Sequence, residues 1–229
     1  MALIKLTAIV DNISGKLNGT VFAKNKGGHY MRSKSKPTNP RTAQQMAVRG
    51  AFGAISTSWR SLPEAARNAW NEIASDFPYI NKLGDSKVLS GFALHQKLNR
   101  NVGLVGGDAL QYPPAPQGTA SISEITPSFT VSELKVEGAA VSELGQKNSV
   151  VIYATPAISP GVSNFQNRLR QIQVADIDDL GTGISFTTAY SKLFGAPVPG
   201  QKIGIAVRAI NENTGEASVM LQTDSFVEE

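Results

Sequence analysis

The segment from Gly103 to Pro116 constrains this chain most. It contains Gly103, Gly106 and Gly107 and then Tyr112-Pro113-Pro114-Ala115-Pro116. Proline lacks the backbone donor that a helix interior or a central strand requires, and clustered glycine adds chain entropy against either. The chain must therefore break here. With 229 residues there is length for a core on each side of the break.

The two sides read differently. Before the break the periodicity is helical. Met46, Phe52, Ile55 and Trp59 recur near helical spacing, behind Pro37-Thr38-Asn39-Pro40, where Asn39 suits an N-cap and Pro40 a first helical turn. Ser61-Leu62-Pro63-Glu64 has the capping-box order and predicts a second helix carrying Ala66, Ala69, Trp70 and Ile73. A third is expected over 86–100, capped by Asp85 or Ser86, with Leu89, Phe92 and Leu98 inward. After the break the pattern turns to strands: 121–131, 133–141, 148–155, 166–175, 183–190, 202–210 and 216–227, at the rhythm of a sandwich. Ile203, Ile205, Val207 and Ala209 alternate and should face one way, and Asn213-Thr214-Gly215 should turn the last hairpin. Tyr190 and Phe194 are the aromatics expected on sandwich loops.

Residues 1–36 are too fragmented for a core of their own. Strand-like LIKLTAIV (3–10), TVFA (20–23) and HYMR (29–32) surround a turn at Lys26-Gly27-Gly28. The expected architecture is thus a multidomain α+β chain. An extended basic arm with a hairpin (1–40) leads to a three-helix module (41–102), a Gly/Pro-rich linker (103–120) and an all-β sandwich of immunoglobulin or fibronectin type (121–229).

Charge is divided along the same line. Residues 1–110 hold 15 Lys and Arg against 6 Asp and Glu, whereas 111–229 hold 7 against 12. Such asymmetry suggests different neighbours for the two halves. Lys24, Lys26, Arg32, Lys34 and Lys36 are spaced mostly two apart, and on one extended strand several would share a face. An acidic partner would stabilise that row, although lysine also serves to block strand edges. Phe22, His29 and Tyr30 among the cations leave nucleic acid open, without a recognised reader motif.

The residues give little to catalysis. His29 and His95 have no partner at metal-ligand spacing. Asp176, Asp178 and Asp179 alternate as calcium ligands do, but Leu180-Gly181-Thr182-Gly183 does not continue an EF-hand. Gly15-Lys16 and Lys26-Gly27-Gly28 lack Walker spacing. Asn12-Ile13-Ser14 and Asn18-Gly19-Thr20 match the glycosylation sequon, but in a chain that opens without a signal pattern they read as turns. Cysteine is absent, which excludes disulfides and thiol chemistry. No apolar run reaches the roughly 20 residues that span a bilayer, so no membrane insertion is expected. No cofactor or metal is expected, and the chain reads as a non-enzyme.

An ordered series of short motifs carries a resemblance. It runs Gly15-Lys16-Leu17-Asn18-Gly19-Thr20-Val21-Phe22, Tyr30-Met31-Arg32, Asn39-Pro40-Arg41-Thr42-Ala43-Gln44-Gln45, Arg49 and Trp59-Arg60-Ser61-Leu62. Arg67-Asn68-Ala69-Trp70-Asn71 and Gly91-Phe92 with Lys97-Leu98-Asn99 follow. The second half continues it with Tyr153-Ala154-Thr155-Pro156, Ser159-Pro160-Gly161, Tyr190 with Phe194-Gly195, Gly200-Gln201-Lys202-Ile203 and Asn211-Glu212-Asn213-Thr214-Gly215. The series resembles small virion-associated proteins of tailed bacteriophages of Bacteroides-type hosts, crAss-like phages included. The resemblance implies a structural role in the virion and offers no catalytic residues.

The expected function is an accessory or decoration protein of the capsid or portal region, present in many copies and anchored by its first 60 residues to the major capsid protein or a portal or tail component. Lys24, Lys26, Tyr30, Arg32, Lys34, Lys36, Arg41 and Arg49 are the expected partner-binding residues. Trp59 and Trp70 are anchor candidates that also suit a helical core. The alternatives are a tail-associated or fibre protein whose sandwich binds the host surface, and an internal protein contacting DNA.

Overall fold

A computed structural model describes residues 2–3, 13–25, 28–36, 38–80, 86–141 and 147–229. The strand pattern beyond Leu3, the hairpin tip at Lys26-Gly27, Pro37 and Asp85 lie outside the described residues. The chain divides into two compact units, Met1–Met46 and Ala47–Glu229. The protein is mixed α and β, and its strand ladders are antiparallel.

In the first unit, strands β1 (Ala2–Leu3), β2 (Gly15–Leu17), β3 (Thr20–Asn25) and β4 (Gly28–Ser33) form one sheet in the order β1-β4-β3-β2. Asn18, with φ 49°, turns β2 into β3, a left-handed position that asparagine tolerates.

Three helices follow: α1 (Ala43–Ser61), α2 (Glu64–Ile73) and α3 (Gly91–Leu104). Between the last two, β5 (Tyr79–Ile80) pairs with β6 (Ser86–Lys87), so the third helix begins later than its pattern suggests, capped by Ser90 through the Ala93 N–H. The first helix also starts late. Arg41 has φ 50°, a conformation no right-handed helix contains, so Thr42 replaces Asn39 as the cap and accepts from the Gln45 N–H. The expected capping box does not form, because the Ser61 hydroxyl donates to the Ser58 carbonyl and α2 opens behind Pro63. Leu62, Ala66, Trp70, Ala74, Phe77, Leu94 and Leu98 make the helical core.

The remaining strands are β7 (Ser121–Phe129), β8 (Leu134–Val141), β9 (Asn148–Ala154), β10 (Arg170–Asp176), β11 (Ile184–Ser185), β12 (Lys202–Asn211) and β13 (Leu221–Phe226). They form two sheets, β10-β9-β12-β13 and β11-β8-β7. Val150, Ile152, Ala154, Ile203, Ile205, Val207 and Ala209 of the first meet Ile122, Phe129, Leu134 and Val136 of the second in one core, a sandwich arrangement. The stretch expected as a strand to residue 190 becomes helix α4 (Thr187–Phe194). Phe186, Tyr190 and Phe194 recur at intervals of four, so a helix keeps all three on the core side where a strand would too, and the helix also carries the chain across the sandwich.

The stretch expected as a linker is held at several points. Asn99 accepts from the Leu110 N–H and donates back to its carbonyl, Trp70 donates to Gln111 O, and the Glu216 carboxylate accepts from the Gln117 and Gly118 N–H groups. Asn101 reaches the Gly215 carbonyl at 2.7 Å. At Gly215 (φ 73°) a Cβ would stand 2.4 Å from the Leu98 carbonyl oxygen. Gly215→Ala should therefore cost about 2 kcal/mol or more. Gly53→Ala, in a helix and in open space, should add about 1 kcal/mol. Urea unfolding of the two variants measures both.

Candidate functional site

The register of the first unit decides what its cations can share. Lys24 pairs with His29 and Phe22 with Met31, whereas Val21 pairs with Arg32 and Ala23 with Tyr30. Cross-strand partners project to the same side of a sheet and neighbours alternate. Lys24 therefore lies with Phe22 and Met31 on one face, and Tyr30 and Arg32 lie on the other. The hairpin pairs even positions with odd ones, so the two-residue spacing that would align cations on one strand separates them here. Lys34 and Lys36 follow the strand, and the Lys34 N–H donates to Gly19 O at 2.8 Å. Lys26 lies outside the described residues. Arg41 and Arg49 are exposed, one at the helix entry and one within α1.

A second feature extends the helical pattern that Phe52, Ile55 and Trp59 show in the sequence. Val48, Ala51 with Phe52, Ile55 and Trp59 fall on one face at intervals of three or four residues along α1, and Leu62 follows just past its end. The lower part of this stripe packs: Trp59 meets the Phe92 ring edge-on at 5.6 Å, and Gln96 donates to the Ser56 hydroxyl. The upper part does not. Val48 is 43% exposed and Phe52 46%, and no residue of α1 is buried. Met46, counted with Phe52 and Trp59 in the sequence pattern, stands on the opposite side of the helix, since nine residues separate it from Ile55.

Where α1 and α3 run side by side, a groove of about 340 Å³ opens, lined by Ala51, Ala54, Ile55, Asn99, Arg100 and Gly103 among others. Ala51 and Ala54 on one side and Gly103 on the other are too small to meet across the gap. Small residues at 51, 54 and 103 on adjoining helices were the available signal.

His95 lies one helical turn along α3 from the lining residue Asn99. Its ring sits 5.2 Å from that of Trp59 and 5.1 Å from that of Trp70, and its Nδ1 has no hydrogen-bond partner. Burial holds the imidazole below its ordinary value. Trp70 is a core residue, and Trp59 packs against the same core while partly exposed. Tyr190, expected on a sandwich loop, is 2% exposed, lies in α4 and packs edge-on with the partly buried Phe194 at 5.1 Å, so it is a core residue and not a loop aromatic. Asp176 accepts from the Asp178 N–H, and no group of three metal-ligating side chains occurs among the described residues. No helix among them is long and apolar enough to cross a membrane.

No family model matches the chain, and comparison with curated proteins gave no match.

The His95 site has a pH signature. With the folded value lowered from 6.5, the unfolded chain binds the proton more readily. The stability this residue contributes is complete above pH 6.5 and is lost as pH falls through the lowered folded value. Glu212 acts in a lower window. Burial raises its value, but hydrogen bonds from Lys147 and Ser149 and the Lys147 charge leave it below 4.5. Urea midpoints should thus fall between pH 7 and pH 5 in the wild type, and His95→Gln should flatten that slope.

Proposed function

We propose that the chain is a non-enzymatic structural protein of a phage virion, an accessory or decoration protein of the capsid or portal region attached through its first 60 residues. The observation that carries this reading is the upper half of α1. It is a helix that continues an apolar stripe beyond its own core, with Val48 and Phe52 still exposed and glycine at 50 and 53. An isolated helix of that length is marginal in water, and bulky apolar groups aligned on one face are costly to leave wet. A neighbour in a multi-copy assembly resolves both.

The N-terminal unit supports the same reading. Its edge strand β2 is exposed throughout, with Leu17 at 71%, and a free edge can accept a neighbour's strand. Lys24 and Arg32 on opposite faces suit contact on both sides of the sheet better than a single phosphate-tracking strip. In this reading residues 1–40 are the attachment arm.

For the displayed module, the order β11-β8-β7 against β10-β9-β12-β13 supports reading it as a sandwich of fibronectin type III or immunoglobulin-like kind. Fold alone carries no activity.

Cross-linking mass spectrometry of purified virions tests the attachment. Lysines 16, 24, 34 and 36 should link to the major capsid protein or a portal neighbour, and links confined to tail components would move the protein to the tail. Phe52→Ser should reduce incorporation into particles about tenfold, the scale of one lost interface anchor, with an unchanged melting temperature.

A further inference from the structure

The end of the sandwich remote from the helices has a chemistry opposite to that of the α1–α3 groove. The helices join the sandwich at Gly215, beside the start of β7, where the Ala120 N–H meets Asn148. β7 runs away from that joint and ends at Phe129. There the Glu228 N–H donates to Phe129 O at 2.8 Å, and the Val131 N–H donates to Glu228 O at 3.1 Å. The Gly200 N–H donates to Val227 O beside them. This brings exposed Val131 and Val198 together with exposed Glu133, Glu228 and Glu229.

The groove presents the converse. α1 and α3 contain Arg49, Arg60, Lys97 and Arg100 and no carboxylate. Asp108, between the lining residues Gly107 and Ala109, is the acid nearest in sequence to the wall. The open volume is apolar, with Arg100 on the wall. An acidic knob with an apolar tip is the complement of an apolar hollow flanked by cations.

We infer that the groove binds the distal tip of the sandwich of a second copy of this chain. Val131 enters between Ala51, Ala54 and Gly103, and Glu133 and Glu228 face the cations of α1 and α3. Groove and tip lie at opposite ends of the Ala47–Glu229 unit, so the contact is head-to-tail and its repetition yields a ring or a filament. This rests on the reading of α1 as an attachment surface and names what part of that surface takes.

Sedimentation velocity on the full-length chain, up to about 1 mM, where weak association registers, tests it. The wild type should associate with rising concentration. Raising salt from about 0.05 to 0.5 M should weaken that association, since exposed charges are screened. Two variants block opposite sides. Gly103→Leu fills the groove at a position where a Cβ meets nothing within 4 Å. The double change Glu133→Lys and Glu228→Lys reverses the tip. Each variant should keep the wild-type melting temperature and self-associate at least about tenfold more weakly. Mixed one to one, they should form a heterodimer that grows no further, because one intact groove meets one intact tip. A wild type that stays monomeric, variants that associate as the wild type does, or a mixture that stays monomeric would each overturn the proposal. A monomeric wild type with Lys24 and Lys34 still cross-linked to another virion protein would leave the attachment reading standing alone.

Discussion

The joint at Gly215 governs the larger unit. Helices and sandwich each have their own apolar core, and the two clusters share no buried residue. Polar contacts tie α3 and residues 117–120 to the sandwich. Asn101 donates to Gly215 O, Asn211 donates to Gly118 O, Glu216 accepts two backbone N–H groups, and Asn148 accepts from Ala120. The contacts at Gly215 O and the Ala120 N–H are buried, and leaving either group without a partner would cost about 1–3 kcal/mol. Such contacts are directional, so they hold an angle as well as a distance. Hydrophobic contact alone does neither so strictly.

That joint also explains how the break at Gly103–Pro116 behaves. α3 runs on through Gly103 to Leu104, past the start of the expected break; beyond it the glycines and prolines exclude regular structure but do not exclude order. Prolines remove donors, and of the donors that remain Leu110 is answered by Asn99 of the preceding helix, Gln117 and Gly118 by the distant Glu216 carboxylate. Composition reports the lack of regular structure and says nothing of partners about 100 residues away in sequence. The same limit applies at residues 186–194, where spacing by four served a helix although β-like residues suggested a strand.

Alternation was the dependable signal in the second half. Ile203, Ile205, Val207 and Ala209 all face the core, because a strand between two neighbours has one way to bury a period-two pattern. Ends were less readable. A single left-handed residue, Arg41, set the start of α1, and nothing in an arginine announces that conformation. The basic row failed as a geometric unit for a related reason. Spacing describes one strand, but a hairpin's register decides which face each strand shows, and that register, Asn25 against Gly28 here, is not written in the spacing. The groove was invisible to pattern reading because it consists of what alanine and glycine leave empty.

A stiff polar joint matters to an assembly more than to a monomer. Contacts that fix the helices on one end of the sandwich also fix the direction of the α1–α3 groove with respect to Val131 and Glu228. In a head-to-tail contact the rotation between successive copies is set by that direction, and closure into a ring tolerates little error once several copies accumulate it. A hydrophobic joint that slid would spread the rotation and favour irregular chains. On the head-to-tail reading, Asn101 therefore holds an angle between α3 and the sandwich as well as adding stability, since an apolar contact could match it in free energy but not in direction.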